Sequence, residues 1–387
     1  MELNSEKMKF DMSQTQGFAT HWMKWLFFLF PHVLCAQSAD TARTSRDPFL
    51  LGARLHYGFI IAHSRDIINV SNSNPHGFEI SAQWLLNAEK YTRNSGVVAK
   101  RGFVLQYFNF DNPEVLGHCI NAVPYIEPMI RPWGRLYGSV QMGLGLAWLS
   151  KVYDAETNPT NLFFSVPVSF PVMINGYLHY KVGPHWEASL GFNYNHISNG
   201  GMKLPNKGMN FPTWNAGVNY YIEPVKITRP LKNDDWKQQP RNYAYLLAIG
   251  TLKTATASDA HPENKICWQL GGTAMAGRRM GRLSGLAVGT EWVWDGYAQE
   301  IMRRLNIEKS AWKGGILGGY ELLVNRVRFT LHFGAYVYNP SGDIDPVYQR
   351  YGIFYRFGKH LMIGSTLKSH RHVADVFDVR VGWTGWL

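Results

Sequence analysis

From about Leu51 onward, polar and apolar residues alternate along most of this chain one by one rather than in blocks. In one stretch Trp186, Ala188, Leu190, Phe192 and Tyr194 share a face, and Glu187, Ser189, Gly191, Asn193 and Asn195 share the other. A period of two marks a strand, because successive side chains point to opposite sides. The rhythm recurs. Leu136, Val140, Met142, Leu144, Leu146 and Trp148 oppose Tyr137, Ser139, Gln141, Gly143 and Gly145. Leu286, Val288, Trp292 and Trp294 oppose Ala287, Gly289, Glu291 and Asp295, and Phe329, Leu331 and Phe333 oppose Arg328, Thr330 and His332. Breaking the chain at turn residues predicts strands near 51–63, 77–89, 99–110, 120–130, 134–150, 163–182, 184–198, 211–223, 243–255, 264–277, 282–296, 313–324, 326–338, 346–357, 361–370 and 374–387. An apolar, aromatic side opposed to a small or polar side suits strands that meet lipid outside and water inside. A soluble barrel or sandwich has the same period.

The ends of the chain favour the membrane. Lys24 followed by the apolar run Trp25 to Phe30, with small residues near Leu34-Cys35-Ala36, reads as a cleaved export signal. It is too short to cross a bilayer as a helix, which needs ~20 residues. Met23 is the better start of that signal, which makes residues 1–22 an N-terminal extension. At the other end Phe377, Val379, Val381 and Trp383 alternate with Asp378, Arg380, Gly382 and Thr384. A last strand ending near an aromatic residue is similar to the terminal signal of outer-membrane proteins. The expected fold is therefore all-β: a transmembrane antiparallel β-barrel of the bacterial outer membrane, one domain over 37–387. Bacterial barrels have even strand numbers, and about 14 is expected, with 12 and 16 as neighbours. Residues 225–242, flanked or interrupted by Pro224, Pro230 and Pro240, read as a long polar loop, and 298–312 as a short amphipathic helix. No internal repeat is visible beyond the hairpin rhythm.

Composition narrows the function classes. Charged residues make up 17% of the chain and aromatic residues 14%, with a formal net charge of +11. No basic helix or zinc-finger spacing supports nucleic-acid binding, whereas an anionic, phosphorylated lipid surface accounts for the excess of cations. Beyond the signal only Cys119 and Cys267 remain, and nothing places them together, so a disulfide stays open. His370-Arg371-His372 reads as a solvated turn rather than a metal site. No cofactor is expected.

The candidate chemistry lies at the end of the strand that starts at Trp186. If that strand runs on, His196 and Ser198 continue its apolar face as neighbours. A serine hydroxyl is inert at neutral pH until a base takes its proton, and an imidazole two residues away can supply that base. Pro205-Asn206-Lys207-Gly208-Met209-Asn210 reads as a turn into a second alternating run through Trp214, Ala216, Val218 and Tyr220. An antiparallel return brings Asn206 and Asn210 towards His196 and Ser198. Carboxamides there can serve an oxyanion or hold the imidazole's other nitrogen.

At these residues the chain resembles the outer-membrane lipid A 3-O-deacylases, also described as acyloxyacyl-hydrolase-like proteins. Their pattern is His-x-Ser-Asn followed by Pro-Asn-x-Gly-x-Glu, here His196-Ile197-Ser198-Asn199 and Pro205-Asn206-Lys207-Gly208-Met209-Asn210. Leu367 to His370 with Ala374-Asp375 also resembles the closing hairpin of that family. The resemblance implies a serine esterase acting on an ester-linked acyl chain of lipid A. Ser198 would be the nucleophile, His196 the base and Asn206 an oxyanion donor, helped by the amides of Gly200 or Gly201. Asn199, Lys203 and Lys207 are candidates to contact substrate, the lysines through its phosphates. The family's Glu is replaced by Asn210, which can hold the tautomer of His196 but carries no charge. The alternative is a non-enzymatic porin or transporter with an idle His-x-Ser-Asn loop and a working lumen around Arg328 and Glu291.

Overall fold

The computed structural model describes residues 47–387 apart from 228, 231–234, 259, 325, 343–344 and 372. The extension and export segment expected within residues 1–36, and His372, lie outside the described residues. All sixteen segments marked by alternation contain strands, with 134–150 broken in two at Gly145. In chain order they are β1 (Phe49–Gly58), β2 (His76–Leu86), β3 (Ala99–Asn109), β4 (His118–Ile130), β5 (Leu136–Leu144), β6 (Leu146–Leu149), β7 (Val168–Lys181), β8 (Trp186–Ser198) and β9 (Met209–Tyr221). Then follow β10 (Asn242–Ala255), β11 (Lys265–Arg279), β12 (Ser284–Asp295), β13 (Trp312–Val324), β14 (Val327–Tyr338), β15 (Val347–Phe357), β16 (Leu361–His370) and β17 (Val373–Trp386).

The strands form two sheets. β1 to β9 pair antiparallel in the order β3-β2-β1-β9-β8-β7-β5-β4, and a β3–β4 ladder joins the two ends. β6 continues the line of β5 between β4 and β7. The first sheet is thus a ring of eight staves. β10 to β17 form a second closed barrel of eight in simple sequential order, sealed by β10 against β17. The expected class, an all-β antiparallel barrel, is what the structure has. Its staves are divided over two rings, whereas one ring of about 14 was expected from their number. The described residues of 225–241 lie on the connection between the two sheets, and Asn242 is already the first residue of β10. The repetition of an eight-stave ring is a repeat that the uniform hairpin rhythm conceals.

Both rings are apolar outside and polar inside. On β1, Leu51, Leu55 and Tyr57 are exposed while Arg54 and His56 are buried. An eight-stave barrel is just wide enough for side chains to fill it. In the first lumen Lys100 Nζ lies 3.0 Å from Glu187 Oε1, which also accepts from Asn219. In the second, Glu291 is held by Arg350 (2.7 Å) and Arg380 (3.2 Å), and Arg328 faces Glu321 at 3.4 Å. The two residues that a permeation pathway would have used are therefore locked in buried ion pairs. Beside His332, Arg350 and Arg380 a space of about 10 Å³ remains, room for one water.

One end of the first ring is closed differently. Phe108, Phe110, Phe163, Phe164, Phe211, Ile197 and Met209 form an apolar plug beneath the loops at 59–75, 110–117, 150–167 and 199–208. Cys119 belongs to that plug and Cys267 to β11, and both are free thiols. The expected helix runs over Gly296–Arg304, starting earlier and ending sooner than 298–312. Asp295 sets its start: its carboxylate accepts from Ala298 N–H at 3.0 Å, the usual remedy for orphan amides of a first turn.

Candidate active site

β8 reaches the plugged end of the ring with Glu187, Asn193 and Asn195 inside and Leu190, Phe192 and Tyr194 outside. His196 and Ser198 follow on the outer parity, so the pair sits on the lipid-facing wall at its loop end. The ladder sets His196 between Val172 of β7 and Asn210 of β9, and Ser198 beside Phe170. Ile197 turns inward and anchors this end of the strand in the apolar plug.

His196 Nδ1 lies 2.6 Å from Asn210 Oδ1. The neighbouring His63, from the β1–β2 loop, flanks the other end of this amide: its Nδ1 lies 3.4 Å from Asn210 Nδ2 and 3.3 Å from the Ile61 carbonyl, and its Nε2 lies 3.0 Å from the Lys207 carbonyl. The Oδ1 of Asn210 can only accept, so His196 Nδ1 carries the hydrogen between them, and Nε2 of His196 has no hydrogen-bond partner among the described residues. That tautomer can take a proton. Sequence reasoning missed His63: it lies some 150 residues from Asn210, and no short motif links them.

Ser198 is buried, and its Oγ accepts from Gly200 N–H at 3.4 Å. Gly208 stands between the two reactive side chains. A Cβ at that position would lie 3.1 Å from Ser198 Cβ and 3.3 Å from His196 Nε2, and its φ of +66° suits glycine. The glycine of the turn motif therefore leaves open the space through which hydroxyl and imidazole face each other. No hydrogen bond joins Ser198 to His196 among the described residues. Such contacts are often loose before substrate binds.

The remaining predicted residues separate by what they already bind. Asn206 Oδ1 accepts from Asn199 N–H at 3.1 Å, and its NH₂ end has no partner among the described residues. Asn199, expected to meet substrate, is fully buried and fully engaged. Its Oδ1 accepts from Gly201 and Met202, and its Nδ2 donates to Ser165 Oγ and Lys203 O. It staples the loop instead. Gly201 is likewise corrected as an oxyanion donor, since its N–H is spent on Asn199 at 3.0 Å. Gly200, whose amide faces Ser198 Oγ, remains. Lys207 is exposed and pairs with Asp66 at 2.9 Å, which holds the Asp66 carboxyl below the ordinary carboxylate range. The Lys203 side chain has no ion-pair partner among the described residues, while its backbone carbonyl accepts from Ser165 and Asn199. At the corresponding seventh stave of the second ring, β16 ends in Lys368-Ser369-His370, with Lys368 (3.0 Å) and His370 (3.8 Å) turned to Asp375.

Comparison with known proteins joins this geometry to a family. A family model described as lipid A 3-O-deacylase (PagL) matches residues 71–219, and one described as acyloxyacyl hydrolase, C-terminal domain, matches residues 241–386. No curated protein matches the chain. Among solved structures, Neisserial surface protein A aligns with a TM-score of 0.32 and 13% identity, covering 44% of this chain and 96% of its own. The outer-membrane enzyme PagL aligns with a TM-score of 0.30 and 16% identity, covering 45% and 99%. A variant of the Rh. blastica porin aligns over 87% of this chain and 99% of its own, with a TM-score of 0.19 and 9% identity. The first family match lies on the ring that bears His196 and Ser198, the second spans the other ring, and the chain belongs to the lipid A 3-O-deacylase and acyloxyacyl hydrolase family: it is an outer-membrane ester hydrolase of lipid A.

Proposed function

We propose that the chain is a serine esterase in which Ser198 attacks an ester-linked acyl chain of lipid A that enters sideways from the bilayer. The observation that carries this reading is the 2.6 Å His196–Asn210 contact on the lipid-facing wall, with Ser198 next along the same face. A rotation of the Ser198 side chain away from Gly200 N–H brings Oγ towards the bare Nε2 of His196. Oγ then bonds to the ester carbonyl carbon as its proton passes to Nε2. The negative oxygen is met by Gly200 N–H and the free NH₂ of Asn206. Collapse breaks the ester bond, and His196 returns the proton to the sugar hydroxyl that leaves. Water repeats the sequence on the acyl-serine, releasing the fatty acid and restoring Ser198. The site lies at the end with the longer loops, which in outer-membrane barrels face the cell exterior. Lipid A of the outer leaflet is at that level. Lys203, whose side chain has no ion-pair partner among the described residues, is the better placed of the two lysines to meet a phosphate.

A fluorophosphonate with a long alkyl chain tests the nucleophile. It should add its mass to the peptide containing Ser198 in the parent, and to no peptide in Ser198→Ala or His196→Ala. Labelling of a different residue in the folded parent would remove Ser198 from the mechanism.

Asn210 in place of the family's Glu has a defined consequence. An amide beside a catalytic imidazole is harmful chiefly when it turns its NH₂ inward and imposes the wrong tautomer. His63 occupies the NH₂ end here. His63→Ala should therefore lower kcat about threefold to tenfold, as the amide gains a second orientation, at little cost in KM. In His63→Ala/Asn210→Glu the loss should be recovered, because a carboxylate has no donor end. Equal rates in parent and His63→Ala would show that Asn210 holds its orientation without His63.

A further inference from the structure

The seam that closes the second ring does not run its full length. β10 and β17 are paired from Tyr243↔Trp386 to Gly250↔Val379, and there the ladder stops although both strands continue. The backbone of the β8–β9 loop of the first ring occupies the opening. Phe377 N–H of β17 donates to Gly200 O at 3.0 Å, and Thr254 N–H of β10 donates to Met202 O at 2.6 Å. Just below, Thr251 Oγ1 donates to Phe377 O at 2.6 Å, and Lys253 pairs with Asp375 at 3.2 Å, which keep the two strands together.

The loop fits this opening because it starts with two glycines. Gly200 and Gly201 have φ of +64° and +82°, and a Cβ on Gly200 would lie 2.5 Å from Phe377 Cβ. A Cβ on Gly201 would collide with the Asp375 carbonyl. Phe377 also stacks its ring on Phe170 at 4.7 Å, and Phe170 is the ladder partner of Ser198. The peptide plane between Gly200 and Gly201 is thus held at both ends, its carbonyl by Phe377 and its N–H by Asn199. With that plane fixed, the preceding amide, Gly200 N–H, is aimed at Ser198 Oγ.

We propose that the second ring serves as a clamp for the catalytic loop of the first, with Phe377 a positioning residue that orients the Gly200 amide and walls the acyl-chain site beside Ser198. This rests on the reading of Ser198 as nucleophile. The clamp explains why a chain whose second ring has no outward His and Ser at the equivalent stave end nevertheless keeps that ring beside the first. Its role is to hold an oxyanion donor that a ten-residue loop on one barrel edge would leave free to turn.

The full chain in detergent micelles, with folding read from heat-modifiable gel mobility, provides the test on purified lipid A. Phe377→Pro deletes the N–H that holds Gly200 O, and should lower kcat about 30- to 100-fold with KM changed less than about threefold, the pattern of a misaimed transition-state donor. Phe377→Tyr keeps both that N–H and the ring and should stay within about threefold of the parent. Thr254→Pro deletes the second loop contact without touching a ladder bond, because its N–H already points at Met202, and should act in the same direction as Phe377→Pro. Folded Phe377→Pro and Thr254→Pro proteins with the parent's kcat, beside an inactive Ser198→Ala, would overturn the clamp and leave the nucleophile standing. Activity in Ser198→Ala would overturn the nucleophile instead.

Discussion

Ser198→Ala should leave lipid A with all its acyl chains in cells whose parent enzyme removes one, and should lower turnover by about 10⁴-fold or more. The loss is large because the oxyanion donors and the base have no oxygen to act on once Oγ is gone, and water has no covalent partner to displace. It should be a loss of chemistry alone. The hydroxyl makes one hydrogen bond among the described residues, at 3.4 Å, so its removal barely disturbs β8. Mass spectrometry of lipid A from cells expressing each form reads the outcome, with heat-modifiable mobility as the check on folding. A missing acyl mass with both forms would exclude Ser198 as nucleophile.

The second large effect is on stability and lies in the lumen. Arg54 and Glu79 are almost completely buried and form a direct ion pair, with Asn219 (3.2 Å) and Ser189 (3.3 Å) on the remaining guanidinium nitrogens. Glu79 also accepts from Gln106 at 3.0 Å and faces His56 at 3.3 Å. Glu79→Ala leaves a buried cation with only neutral partners, a loss of about 3–5 kcal/mol. Arg54→Met/Glu79→Leu removes both charges and fills the space with apolar side chains, and most of the stability should return, since paired removal is often neutral. Urea unfolding in phospholipid vesicles, followed by tryptophan fluorescence, measures both. Equal midpoints for parent and Glu79→Ala would mean that water reaches Arg54 and that the lumen is not closed to solvent at this pair.

The contrast between these two sites mirrors what could be read from the chain itself. Alternation assigned the strands and their faces because side-chain direction in a strand is a local property of period two. The outward position of His196 and Ser198 follows from the same count that places Leu190 and Phe192 outside. The turn motif brought Asn210 opposite His196 because a hairpin pairs residues close in sequence, and the ladder has that pair in register.

Ring closure is another matter. Whether β9 returns to β1 or continues to β10 depends on a pairing between Leu50 and Tyr221, more than 150 residues apart. Every stave offers the same apolar outside and the same unpaired edge, so the local pattern is identical for one ring of sixteen and two of eight. What separates them is how the lumen fills: Lys100 of β3 and Glu187 of β8 stand four staves apart in the ring and meet only across a narrow barrel. The same limit applies at the site. His63, Phe377 and Thr254 touch Asn210 or the β8–β9 loop from distant parts of the chain, and none belongs to a motif. The sequence by itself determined the strands, their two faces and the His196–Ser198–Asn210 set, all within one hairpin. Only the tertiary structure decided that there are two rings, that Asn199 and Gly201 are spent within the loop, and that β10 and β17 of the second ring bond to the backbone of that loop, because those contacts join residues that no local periodicity connects.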